Sequence, residues 1–405
     1  MNNWIDQLQD FCGSLTDMRI SRHKIHPLQS TVFLFLVAML SGLTGWLYII
    51  DWASQPVVLK WLRNFYPYEH GIPSVSTLAR VISSLDIDEL DNAFNKLNFH
   101  LLQEQFTDEL TNYNTLQAIA IDGKTNRGAI IGGKKSKIHI VNAIMSYFVV
   151  GQIKVEEKSN EITAIPVMLK KLASSNLLAN ATVTIDAMGC QKEIAKNIAN
   201  ENAYYLINLK DNQKTMANEV ELFFDELARN NNSLGVKMRT DEYGPEKNHG
   251  RISRWKVTQA EIDFEWVPSA SKWEGIKTLI KVERETYSGN KFEKRSFETH
   301  CYISNHQINQ ELGYIIRKHW NVETLHYYLD VTFKEDVCRI RRGNSSEIFS
   351  LFRKIAFNIL YKAHKKANMS MIRVITKFNR DPMAFGPTLG LVPNQPECQL
   401  LSEAA

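Results

Sequence analysis

LQAIAID, residues 116–122, and ATVTID, residues 181–186, decide how the chain reads. Each is a short apolar run of strand length that ends on a carboxylate, Asp122 in one and Asp186 in the other. An acid at the C-terminal end of a buried strand stands where α/β sheets bind ligands. Its burial costs free energy unless it is paired or ligates a metal. One such Asp is a weak sign, because Asp commonly opens a turn. Two at the ends of strands that can lie side by side carry more weight.

The segments around these runs predict a mixed sheet with helices on its faces. KIHIVNAIM (137–145) and YFVVGQIKVEE (147–157) read as strands joined by a tight turn at Ser146. EITAIPVMLKKLA (161–173) and QKEIAKNIANE (191–201) read as helices, and AYYLINLK (203–210) as a further strand. Residues 211 to about 305 lose this rhythm. After a helix near 214–229, alternating runs such as SRWKVTQAEIDFEWV (253–267) and KTLIKVERET (277–286) predict a β-rich insertion. One long helix is expected over 308–330 and a basic helical tail over 346–405, so that the core spans 115–345. Residues 1–110 read as an all-helical N-terminal domain. Apolar residues recur at helical spacing through 30–66, Pro73 and Ser74 mark a helix start, and 87–106 is amphipathic.

The 405 residues leave room for two or three domains, and 44% apolar with 23% charged is the composition of a folded globular chain. Five cysteines with no C-x-x-C pair argue against a cysteine zinc ribbon or a disulfide framework and suit a reducing cytosol. The net charge of +4 is small, yet residues 331–405 hold 12 Lys and Arg against 6 Asp and Glu. Asp6, Asp10 and Asp17 interrupt the start, so no signal peptide is expected. The uncharged run between Gln29 and Asp51 is 21 residues, long enough for a bilayer. Ser41, Gly42, Thr44 and Gly45 within it predict a buried helix pair instead, and no membrane is expected.

A third acid comes from YIIRKHWNVETLHYYLDV (314–331), where His319, Glu323, His326 and Asp330 are spaced i, i+4, i+7, i+11. On a helix they fall within about 60° of one another and form one polar stripe. Asp122, Asp186 and Glu323 make an all-oxygen set suited to Mg²⁺ or Mn²⁺. Carboxylates around two metals about 3.5–4 Å apart are chemistry for cutting and joining phosphodiesters. Zinc on His319, Glu323 and His326 is a rival, though no H-E-x-x-H occurs. Glu246 and His249 form a second E-x-x-H, in a loop-like stretch. Lys124, Arg127, Lys134, Lys135 and Lys137 follow the first acid, Lys210 and Lys214 flank the last core strand, and Lys334, Arg339, Arg341 and Arg342 follow the helix. Cations so placed suit a polyanion such as DNA. Trp255, Trp266 and Trp273 either stack on unpaired bases or, as the simpler reading has it, fill a small β core.

Taken together, AIDGKTNRGA (120–129), KSNEI (158–162), TIDAMGCQKEIAKNI (184–198), YLINLKDNQ (205–213), HGRISR (249–254) and RKHWNVETLHYYLDVTFKEDVCRIR (317–341) make the chain resemble insertion-sequence transposases of the DDE type, in the ISAs-type or H-repeat-associated group. TDMR (16–19), HPL (26–28) and GIPSVSTLARV (71–81) extend the resemblance over the N-terminal helices. It implies an RNase H-like core with Asp122, Asp186 and Glu323 as catalytic, metal-holding triad, Mg²⁺ as cofactor and Mn²⁺ as substitute. Tyr314 and Arg317 match a Tyr, Arg, Glu and Lys signature around the Glu, whereas its Lys position falls on Asp330. Lys124, Arg127, Lys210, Arg317, His319, His326, Arg339 and Arg341 would contact DNA, and the N-terminal helices, with a role in assembly, and the basic tail would bind it as well. The partners implied are the element's terminal inverted repeats and target DNA, held by a homodimer in the bacterial cytoplasm and associated with the nucleoid. The expected activity is cleavage at element ends and strand transfer. A catalytically silent DNA-binding relic and a metal-dependent nuclease without strand transfer are the alternatives.

Overall fold

A computed structural model describes residues 4–20, 24–109, 117–126, 130–131, 134–135, 138–155, 160–229, 234–248, 251–288, 294–319, 321–338 and 344–393. The N-terminal part holds helices α1 (Trp4–Gly13), α2 (Leu28–Leu40), α3 (Trp46–Ala53), α4 (Pro56–Leu62), α5 (Val75–Ser83) and α6 (Ile87–Glu109). α2 is buried all round from Ser30 to Leu40, as an apolar helix without a polar face must be. The uncharged run thus divides into α2 and α3 about the Ser41–Gly45 turn, and no helix among the described residues is long and apolar enough to cross a membrane. Ser74 caps α5 by accepting from the Thr77 N–H, as Pro73–Ser74 leads one to expect.

The sheet begins with β1 (Ala118–Asn126), and β2 (Ile130–Ile131) and β3 (Lys134–Lys135) form a separate small ribbon. β4 (Ile138–Met145) and β5 (Phe148–Val155) follow, joined by Ser146 and Tyr147, both at positive φ, in a two-residue hairpin loop. Then come α7 (Glu161–Ser174), β6 (Thr182–Ile185), α8 (Lys192–Asn200), β7 (Tyr204–Leu209) and α9 (Lys214–Arg229). β8 (Met238–Asn248), β9 (Arg251–Glu261), β10 (Thr278–Ser288) and β11 (Lys294–Ser304) complete a nine-stranded sheet in the order β5-β4-β1-β6-β7-β11-β10-β9-β8. β1, β6 and β7 are parallel to one another, and the outer strands are antiparallel. The last helices are α10 (Glu311–His319), α11 (Asn321–Tyr327), α12 (Ser345–Ala367), α13 (Met371–Arg380) and the short α14 (Pro382–Phe385).

Two expectations need correcting, the loop-like GPEKNHGR and the far end of the long helix, and two others gain detail. The β-rich stretch does not stand apart from the core, because β11 pairs with β7 from Cys301↔Leu209 to Ser304↔Leu206 and carries the sheet onward. GPEKNHGR, taken as loop-like, contributes Glu246 to β8, whose polar side chains hide a strand that pairing with β9 enforces. The long helix expected over 308–330 is described over Glu311–His319 and Asn321–Tyr327, and it widens into a π turn over Tyr328–Thr332, so that the regular helical spacing ends before Asp330. In the basic helical tail, α12 is buried along most of its length and packs against α2, α6 and β5. Trp255 and Trp273 are buried, and Trp266 packs beside Phe223, so all three fill cores.

One buried amide ties the helical part to the sheet. Asn358 on α12 donates to Asn98 Oδ1 on α6 (2.7 Å) and to the Val149 carbonyl on β5 (3.0 Å), and its Oδ1 accepts from the Val149 N–H (2.9 Å). Asn358→Ala leaves the Val149 N–H and the Asn98 Oδ1 buried without this partner, while the Val149 carbonyl keeps the Asn98 amide (2.9 Å), and is expected to cost about 2–4 kcal/mol in chemical denaturation.

Candidate active site

The parallel register of β1 with β6 runs from Ala118↔Thr182 to Ile121↔Ile185, so Asp122 and Asp186 lie one residue beyond the last pair, at the same end of adjacent strands. Asp122 Oδ1 accepts from the Gly123 N–H (2.9 Å), and its Oδ2 lies 3.9 Å from His326 Nδ1. Asp186 Oδ1 accepts from the N–H groups of Met188 (3.0 Å) and Gly189 (3.4 Å), capping a short 3₁₀ turn. The turn-forming role of Asp therefore holds for one of its oxygens. Glu323 is exposed in the first turn of α11 and opens on a cleft of ≈ 820 Å³, whose walls include Arg251, Trp255, Arg284, Arg317, Lys318 and Tyr327.

These acids feel one another. Burial, then the charges of Asp186, Glu161 and Glu323, push the Asp122 carboxyl up to about 7, against the pull of the Gly123 N–H. Asn142 faces Asp122 across β4, fully buried, with no partner for either amide atom among the described residues. An uncompensated acidic cluster beside an orphaned amide oxygen suits a divalent cation, and the donor set is all oxygen. As placed, no three His, Cys, Asp or Glu among the described residues form a metal-holding group.

Both histidines of the expected stripe turn inward rather than toward DNA. His319 Nδ1 meets Thr184 Oγ1 on β6 at 2.7 Å. Burial lowers its pKa although Asp186 pulls the other way. Burial, reinforced by Lys124 and Lys354, holds His326 down at about 4. Lys124 is corrected as well. Its side chain is only 7% exposed, too enclosed to reach a DNA phosphate, and its ammonium binds Asp330, Glu335 (3.2 Å) and Asp336 (3.6 Å). Glu335 also accepts from Ser350 Oγ on α12 (2.8 Å). Burial alone would raise the Glu335 carboxyl, but Lys354, Lys124 and Arg353 outweigh it and hold its pKa below the ordinary value.

Arg317 does line the cleft with Glu323. It pairs with Glu246 and lies over the rings of Trp255 (4.8 Å) and Tyr243 (5.0 Å). Tyr314 is exposed in the same cleft, and Lys210 is exposed just past β7. Arg127, Arg339 and Arg341 lie outside the described residues. Glu161, within KSNEI, has a place in the site that its sequence context does not announce. Glu161 opens α7 and pairs with His139 Nε2 (2.5 Å), and both crowd Gly123 so closely that a Cβ there would collide with them.

The Transposase DDE domain family matches residues 114–359, and the DDE_Tnp_1-associated family matches residues 9–97. The chain belongs to the DDE transposases. Among them it is similar to "Putative transposase YncI" of Escherichia coli O157:H7, 36% identical over 362 residues, covering 88% of this chain and 87% of that one. It is likewise similar to "H repeat-associated putative transposase YhhI" of Escherichia coli strain K12, 33% identical over 363 residues, covering 88% and 90%. A cryo-EM structure of the piggyBac transposase synaptic complex with hairpin DNA aligns with 98% of this chain and 87% of its own at TM-score 0.46 and 11% identity.

Lys124→Met leaves a fully buried Glu335 and its neighbours short of a cation and is expected to cost about 3–5 kcal/mol in urea denaturation at pH 7. A second expectation concerns pH. With its pKa raised, native Asp122 keeps a proton that the unfolded chain has released, so metal-free stability falls as pH rises from about 4 to about 7. Asp122→Asn should be the more heat-stable protein at pH 8, on the order of 2 kcal/mol, and the advantage should vanish near pH 4.

Proposed function

We propose that the chain cleaves DNA at the ends of its insertion element and transfers the freed 3′ ends to target DNA. Asp122, Asp186 and Glu323 would hold Mg²⁺, with Mn²⁺ as substitute. The observation that carries this reading is the β1–β6 register, which sets two carboxylates side by side, with Glu323 near enough to raise the first one's pKa. An RNase H-like core is supported by the strand order β5-β4-β1-β6-β7, with β1, β6 and β7 parallel.

When bound, such ions activate water or a 3′-hydroxyl and stabilise the departing oxygen. The chain's own groups bind and orient. Asp186 keeps one oxygen on the backbone of its turn, which fixes the carboxylate. Arg317, held against Tyr243 and Trp255, would receive a phosphate in exchange for Glu246. His319 and His326, kept neutral, would orient the acids without adding charge. Lys210, Arg127, Arg339 and Arg341 would contact DNA, with a homodimer holding two element ends in the bacterial cytoplasm, at the nucleoid. A silent relic is the second reading, since Asp330 stands where the signature has Lys. The Lys124–Asp330 pair weighs against it, because the acid is matched rather than orphaned.

The test is a strand-cleavage assay on DNA carrying the gene's own flanks, with Mg²⁺ or EDTA. Asp186→Ala should keep DNA binding and lose more than about 100-fold in cleavage, since even supports of a metal's ligands are worth 10–100-fold. Cleavage persisting in that variant removes Asp186 from the site. Cleaved ends that never join a second DNA would leave a nuclease, and binding without cleavage in the wild type would leave a relic.

A further inference from the structure

Between Glu347 and Asp381 the chain runs 33 residues with eight cations and no acid. Arg353 and Lys354 are spent inside α12, and the other six come within 362–380, beyond the matched DDE domain. α13 buries Met371, Val374, Ile375 and Phe378, and its exposed face carries Arg373, Lys377 and Arg380 at i, i+4, i+7. None of these three is ion-paired with an acid among the described residues.

A merely solvated helix face mixes signs, because like charges four apart repel and opposite ones attract. The helix dipole favours Lys377 and Arg380 in the last turn but disfavours Arg373 in the first. α13 is also rigidly seated: the Trp52 indole N–H donates to the Asn379 carbonyl (3.1 Å), and the Asn379 amide donates to the Ser41 carbonyl (3.1 Å). The cations connect to the cleft. Lys365, in the last turn of α12, stands over the rings of Tyr361 (5.5 Å) and Tyr147 (5.9 Å), and Tyr147 lines the cleft that holds Glu323 and Arg317. A short turn at Asn368–Ser370 then leads into α13.

We infer that the C-terminal turn of α12 and the exposed face of α13 form a surface for the phosphate backbone of duplex DNA, continuing the path that starts in the catalytic cleft. This rests on the DNA-transposing reading above for the class of partner and adds where the duplex runs. Cations fixed on a rigid helix neutralise phosphates without reading bases, so the contact supplies affinity and register, not sequence choice.

The experiment measures the dissociation constant for an element-end duplex and for a scrambled duplex against NaCl concentration, with the full chain. The variants are the triple R373Q/K377Q/R380Q, the charge-keeping R373K/R380K, and Asp186→Ala. The triple variant is expected to melt as wild type, to bind both duplexes at least about tenfold more weakly at 100 mM salt, and to lose about 2–3 from the salt slope. R373K/R380K should bind as wild type. An unchanged slope in a folded triple variant overturns the inference, including where oligomeric state changes instead, which would mark a protein contact. Cleavage persisting in Asp186→Ala while the triple variant still loses its slope would sink the catalytic assignment and leave this surface standing. A wild type that binds no duplex sinks both.

Discussion

Four backbone pairs, Ala118–Thr182 through Ile121–Ile185, hold β1 and β6 in parallel, and the site hangs on that alignment. Strand side chains alternate faces, so a slip of one residue would turn one aspartate away from the other. The alignment is secure because both strands are buried, with Ile119, Ile121, Val183 and Ile185 in the core. Thr184, two residues before Asp186, then receives His319 and docks α10 on the same face. The helix side of the site is thus positioned by the strand that supplies the second acid.

A second constraint acts from below. Lys124 follows Asp122 by two residues and so points to the same face, where it gathers Asp330, Glu335 and Asp336 from the segment after α11. Glu335 passes the contact to Ser350, and Ser350 shares Lys354 with Gln152 of β5. Several buried charges are thereby satisfied as one network rather than as separate pairs, which makes them costly to disturb singly. The same network fixes how far α11 stands from β1.

The apolar runs of β1, β6 and β7 were legible because buried parallel strands have few polar residues to disguise them. The α2–α3 pair and the cap at Ser74 were legible for equally local reasons. β8 and β11 were not, since MRTDEYGPEKN is polar and most of β11 is exposed, so only their neighbours' hydrogen bonds make them strands. Of the site, Asp122, Asp186 and Glu323 were marked by strand ends and helical spacing. The fate of Lys124 was hidden, because a basic residue beside an acid reads as surface until its partners, some 200 residues later, are known. Glu161 and His139 were hidden for the same reason, and the Gly123 that they require could have pointed to them.

The seating of α12 bears on how such a gene decays. The matched catalytic domain stops at residue 359, midway along a helix whose buried residues run on to Ala363 and whose Asn358 joins the two halves of the molecule. The edge of the matched domain is therefore not a boundary of folding. A chain cut at that edge would not be a self-sufficient domain lacking an accessory tail. The cut would break α12 partway along the face that packs against α2, α6 and β5 and remove α13 altogether, and the product would go to proteolysis.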